Sequence, residues 1–174
     1  MTTDTIRLRA MEPEDLELLY GIENDSTLWN SGSTNVPYSR YVLHNYIATS
    51  SSDIYADKQL RLIIETADHR PVGIADLVNF DPRHMRAEIG IVIIPAYRRN
   101  GYATYALRKL VSYATAILHL HQLYAVVAKG NTPCRSLFAK LQFDEAACLP
   151  QWLSTGHGYE DAIVFSRILT TAND

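Results

Sequence analysis

Two cysteines in 174 residues are too few for a disulfide framework, and Cys134 and Cys148 stand in a chain long enough to bury a core without covalent staples. Neither sign of charge is in excess: 16 Lys and Arg against 19 Asp and Glu leave a formal charge of −3, without the basic surplus of a general nucleic-acid binder. No apolar run approaches the roughly 18 residues of a membrane span. The densest, residues 89–94, stops at Pro95. The start MTTDTIRLRAMEPEDLELLY interleaves acids and bases and lacks the apolar stretch of a secretory signal. The expectation is a cytoplasmic protein with neither a membrane nor a nucleic acid as partner. Phosphate loops of the GxxxxGKS/T and GxGxxG types are missing, as is a GxSxG elbow, which removes the common nucleotide-binding and serine-hydrolase readings. Repeats, low-complexity tracts and linkers are also missing, so residues 1–174 read as a single domain.

What is present is a core-forming composition, 47% hydrophobic with 20% charged residues. Residues 5–9 alternate Ile6 and Leu8 against charge, as a half-buried strand does. Residues 12–24 carry Leu16, Leu19 and Tyr20 at helical spacing, with Pro13 suited to a first turn. After an irregular stretch over 26–37, the spacing of Tyr41, Val42, Tyr46 and Ile47 predicts a second helix over 38–48. Residues 59–66, 72–80 and 86–94 are rich in Ile, Leu and Val and read as antiparallel strands joined by short turns, one of them at 68–71. From Ala103 the period changes, and Ala106, Leu107, Leu110, Val111, Ala114, Ile117 and Leu118 share one helical face. A strand over 122–128, a helix capped by Asn131 and running to Leu141, and strands over 143–149 and 159–168 complete the chain. The class is α+β, with a mixed, mostly antiparallel sheet of six to seven strands flanked by about four helices.

The most informative segment runs from Ile91, Val92 and Ile93 through Pro95 into Arg98, Arg99, Asn100, Gly101, Tyr102, Ala103 and Thr104. A buried strand passes through a tight basic loop into a long helix. Such a helix start has unpaired N–H groups and a partial positive charge that favour phosphate. Gly101 lets the backbone approach a ligand, and the arginines offer charge-assisted bonds. The competing reading is a surface turn with two solvated arginines.

The segment resembles the GNAT superfamily of acyl-CoA-dependent N-acetyltransferases, whose loop has the form Gln/Arg-x-x-Gly-x-Gly/Ala. Here Arg98-Arg99-Asn100-Gly101-Tyr102-Ala103 matches it between the fourth strand and third helix. The resemblance covers nearly the whole chain, extending to Ile6-Arg7-Leu8-Arg9, Arg86-Ala87-Glu88-Ile89-Gly90-Ile91, and Asn131 through Lys140-Leu141-Gln142-Phe143. Together these are similar to the branch containing spermidine and ribosomal-protein N-terminal acetyltransferases. The resemblance implies acetyl-CoA as cosubstrate and no metal. Loop amides from Arg98 to Thr104 would hold the pyrophosphate, while main-chain groups of Ile91, Val92 and Ile93 would receive the pantetheine arm. Asn131 would lie near that arm, and Phe138 would pack on it. Glu88 is the candidate base, against the alternative of a solvated strand glutamate or a partner for Arg86. A main-chain N–H near Ile91 or Val92 would polarise the carbonyl.

Two departures stand out. Phe138 occupies the position where many relatives carry a Tyr that protonates the leaving thiolate, and Gln142 replaces a glycine. Other donors in the sequence are Cys134, if the helix start lowers its pKa, and the phenols of Tyr102, Tyr105, Tyr124 and Tyr159. His119 and His121 share a face if they lie on a strand, but lack a companion ligand. The expected reaction moves an acetyl group from acetyl-CoA to a primary amine by direct attack in a ternary complex, the acceptor being a small amine, a polyamine or a peptide N-terminus. The alternative is a noncatalytic acyl-CoA-binding sensor or interaction domain. Many relatives are dimers or larger, so a homo-oligomer is also implied. Residues 26–52 contain no acid, which weakens the polyamine option. Glu23, Asp25 and Asp53 flank that stretch, and Asp76, Asp81, Glu88, Glu160 and Asp161 are the other acids within potential reach.

Overall fold

A computed structural model of the chain describes residues 6–29 and 36–169. Thr5 of the first expected strand and residues 30–35 of the expected irregular stretch lie outside them. Alternation produces β1 (Ile6–Ala10), then a short 3-10 turn at Pro13–Asp15 leads into α1 (Leu16–Glu23). Asp15 accepts the Glu12 N–H at 2.8 Å and fixes that entry. The remaining elements are α2 (Arg40–Thr49), α3 (Ile54–Asp57), β2 (Leu60–Thr66), β3 (Pro71–Asp81), β4 (Arg86–Ile93), α4 (Tyr102–Ala116), β5 (Gln122–Ala128), α5 (Thr132–Lys140), β6 (Asp144–Ser154) and β7 (Tyr159–Ile168).

The strands form one seven-stranded sheet in the order β1-β2-β3-β4-β5-β7-β6. Every neighbouring pair is antiparallel except β4 and β5. Both faces of its centre are covered, which explains the near-continuous apolar run of β2. Ile63 and Ile64 are each 0% exposed on opposite faces. Ile64 joins Leu107, Leu110, Leu123 and Phe165 in the larger core beneath α4. Ile63 joins Ile74, Leu19, Leu43 and Ile47 beneath α1 and α2.

Several expectations change. The α2 face is set by Leu43 and Ile47, whereas Tyr41 and Val42 are exposed. Leu19, Leu43 and Ile47 cover the sheet surface there, and Tyr41 is left to solvent. The α4 helix ends at Ala116, so Ile117 caps it and is exposed. The α3 turn, nucleated by Asp53 accepting the Tyr55 N–H, makes five α-helices among the described residues rather than four. Strand β6 continues to Ser154, past the expected 149, because a register shift between Leu149 and Leu153 absorbs Pro150. Gln142 makes the turn after α5 by adopting φ 62° itself, and its N–H donates to the Ala139 carbonyl at 3.0 Å.

Candidate active site

The β4 and β5 strands pair over a short length only: Arg86 with Gln122, Ala87 with Leu123, and Glu88 with Tyr124. Beyond that row β4 continues to Ile93, held on its other side by β3, and β5 continues to Ala128, held by β7. The two strands therefore part like a V with Glu88 and Tyr124 at its apex. Backbone N–H and C=O groups along this side of Ile91, Val92 and Ile93 are suited to an extended amide-bearing ligand, as a sheet edge is to an added strand. Gly73 fixes the position of this segment. A Cβ there would meet the Val92 carbonyl oxygen at 2.2 Å, so β3 and β4 can approach this closely only without a side chain.

At its open end β4 runs into the basic loop. Arg98 does not simply wave in solvent: its Nε donates to the Ile93 carbonyl at 3.0 Å and ties the loop to the strand end. Asn100 donates from its amide to the carbonyls of Tyr97 and Arg98 at 3.1 and 3.2 Å. Arg99 and Gly101 both take left-handed backbone angles, φ 64° and 82°. Gly101 is the N-cap of α4, offers no side-chain cap, and is followed by a first turn without an acid. The amides of Tyr102, Ala103 and Thr104 thus sit at a positive helix end, the chemistry that holds a phosphate.

The opposite face of β4 carries Glu88. Asn79 donates to its Oε2 at 2.8 Å from a position with φ 51°, at the register shift between Val78 and Asp81. That bulge turns an exposed strand residue toward Glu88. Arg86 pairs with Asp81 at 3.2 Å, not with Glu88. One row farther along the same face, Asp76 lies opposite Gly90 and forms a two-pronged pair with Arg61 at 3.0 Å, while Arg61 also reaches Glu23 at 2.6 Å. Burial pushes the Asp76 carboxyl above its ordinary range despite Arg61. Tyr46 is half-buried nearby and receives a hydrogen bond from Gln59 at 3.2 Å.

Residues 5–144 match the family described as "Acetyltransferase (GNAT) domain". The chain belongs to the GNAT acetyltransferases. It is 29% identical to spermidine N(1)-acetyltransferase of Escherichia coli K12, over 91% of this chain and 83% of that protein. It is 30% identical to the uncharacterized N-acetyltransferase YoaA of Bacillus subtilis, over 97% and 96%. The spermidine N-acetyltransferase of Vibrio cholerae, solved in complex with CoA and spermine, superposes with a TM-score of 0.86 over 95% of this chain and 96% of that one, at 23% identity. The protein is thus an acetyl-CoA-dependent N-acetyltransferase, and the noncatalytic alternative is not favoured.

Within this GNAT chain the other sequence-predicted residues sort clearly. Asn131 caps α5 by accepting the Cys134 N–H at 3.2 Å. Phe138 is 2% exposed, with Phe143 against it edge-on at 5.1 Å and Phe165 stacked at 5.7 Å; its ring belongs to the core. The expected lowering at Cys134 is reversed, because burial without a charged partner pushes the thiol up to about 11. His119 and His121 precede β5 rather than lying on it, and His119 sits in a turn with φ 52°. Among the described residues no group of three or more His, Cys, Asp and Glu side chains could hold a metal. No helix there is long and apolar enough to cross a membrane. The site residues that sequence reasoning missed are Asn79, Gly73 and Arg61. A usable signal existed for the first, since Asn is depleted in strands and tolerates left-handed angles.

Proposed function

We propose that this acetyltransferase binds acetyl-CoA with its pyrophosphate at the Arg98 to Thr104 loop and its amide-bearing arm along Ile91, Val92 and Ile93. The thioester then reaches the V apex, where Glu88 accepts the proton of an attacking primary amine in a ternary complex. The observation that carries this reading is the end of β4–β5 pairing at Glu88 and Tyr124. Unpaired β4 backbone, the N-terminus of α4 beyond it and the Glu88 carboxylate support this reading. The strand segment from Glu88 to Ile93 rises about 3.3 Å per residue, so the two ends of the site are separated without any further element between them. Asn131 stands at the start of α5, the helix next along the chain after β5, and its family role near the arm is part of the same proposal. Phe138 contributes through the packing of α5.

For the acceptor we propose a small amine with a second positive charge, a diamine or polyamine. Glu23 and Asp76 together outnumber the single guanidinium of Arg61 between them, and Glu88 adds a carboxylate on the same face. Asp76 and Glu88 are diagonal neighbours across paired strands, a separation of about 7–8 Å. The spermidine specificity named for the Escherichia coli relative points the same way. Incubation with acetyl-CoA and a mixed pool of polyamines, monoamines, amino sugars, amino acids and N-terminal peptides, followed by mass spectrometry, tests both parts. The expected result is an acetylated di- or polyamine. Acetylation confined to monoamines or peptides would overturn the acceptor assignment. No product, in a sample that binds acetyl-CoA, would overturn the catalytic one.

A further inference from the structure

Thioester aminolysis leaves a sulfur anion, and Phe138 has no proton to give it. The donor candidates raised by the sequence, with Tyr46, divide by position. Cys134 is packed against the core from α5. Tyr102 and Tyr105 pack against that same core from α4. Tyr159 is 69% exposed at the far end of β7, opposite Ser154. Tyr46 lies over β2 with Gln59 and Arg61. Tyr124 differs from all of them. It is the last β5 residue paired with β4, directly beside Glu88, and the alternation of β5 puts Leu123, Ala125 and Val127 into the core and Tyr124 on the Glu88 face. The Asn79 side chain donates to Glu88 Oε2 at 2.8 Å, in the row where Glu88 lies beside Tyr124.

We propose that Tyr124 donates the proton to the departing thiolate of this enzyme, and that Asn79 is the positioning residue that fixes the Glu88 carboxylate beside it. The inference rests on the acetyl-CoA reading of the site given above. The protons balance as follows. The acceptor ammonium loses one proton to solvent, and the free amine attacks the thioester carbonyl, forming the C–N bond. Glu88 takes the second proton from nitrogen as the C–S bond breaks. Tyr124 gives its hydroxyl proton to sulfur, producing the free thiol. The proton held by Glu88 then restores the phenol, and both side chains return to their starting states.

The surroundings suit a phenol that stays protonated until sulfur needs the proton. Burial raises the Tyr124 pKa above its ordinary value, and the charge of Glu88 raises it further. Asp81 acts in the same direction, while the charge of Arg86 opposes it.

The test is steady-state kinetics of Tyr124→Phe on the acceptor found in the mixed pool, with CoA affinity and melting temperature measured in parallel. Expected are a fall in kcat of about 10-fold or more, KM values and CoA affinity within about twofold of wild type, and loss of the alkaline limb of the kcat–pH profile. Asn79→Gly keeps the left-handed backbone angle while removing the amide. It should lower kcat severalfold at unchanged KM and displace the profile. A Tyr124→Phe enzyme with wild-type kcat and an unchanged alkaline limb would overturn the proposal while leaving the acetyltransferase reading intact. A wild type that acetylates nothing in the pool would overturn both.

Discussion

Glu88 and Cys134 show how position decides the chemistry of a residue. Glu88→Gln preserves side-chain size and an acceptor for Asn79 while removing the charge that takes a proton. Loss of a general base costs about 10²–10⁴ in rate, so kcat should fall into that range with CoA affinity unchanged by calorimetry. Full turnover across pH in this variant would contradict the base assignment. Cys134, held near 11 by burial, should resist alkylation at neutral pH, where Cys148 is exposed. Mass spectrometry after brief iodoacetamide treatment should find a single adduct, at Cys148. The sequence exposed Cys134 and the glutamate as candidates. It could not show that the helix carrying Cys134 turns the thiol inward, because the favourable field of a helix end is outweighed once the group loses solvent.

At the level of elements, β4, the strand proposed to receive the donor substrate, is positioned by its neighbours. Gly73→Ala would drive a methyl group into the Val92 carbonyl and force β3 and β4 apart. Overpacking of this kind costs about 1–3 kcal/mol, so the melting temperature should drop and CoA affinity should weaken together. Beyond the site, β1 is tied to β2 by Glu65, which is 4% exposed and meets Arg9 at 2.8 Å and Arg7. The hydrogen bonds from Arg9 and Arg7 lower the Glu65 carboxyl from its usual 4.5 to about 2. A folded value below the unfolded one means that this tie stabilises above about pH 4.5 and is lost as pH falls toward 2. Glu65→Gln should therefore melt lower at neutral pH and show a shallower loss of stability across that interval. Most elements were legible because periodicity reports burial: β5 and β7 have the boundaries that their apolar patterns indicate. The α2 face was misread because Tyr41 and Val42 are apolar enough to imitate a core stripe. Their actual exposure depends on where α1 and the sheet stand.

In the whole molecule, the divergence of β4 and β5 does most to make a transferase of this sheet. Local pattern cannot reveal it, since β4 reads as one uninterrupted strand from Arg86 to Ile93. The length over which two parallel strands remain paired is set by sheet twist and by β3 and β7 pulling from either side. The loop that follows was legible, because Gly101 and the arginines before a long amphipathic helix have a local physical meaning. The face that gathers Glu23, Arg61, Asp76 and Glu88 was not, because these residues come from four separate elements. The donor-substrate claim is tested most directly by hydrogen exchange of the full chain with and without saturating CoA. Slowed exchange is expected at the β4 amides of Ile91 to Ile93 and at the loop and helix start from Arg98 to Thr104. Slowed exchange elsewhere with these two segments unchanged would contradict it.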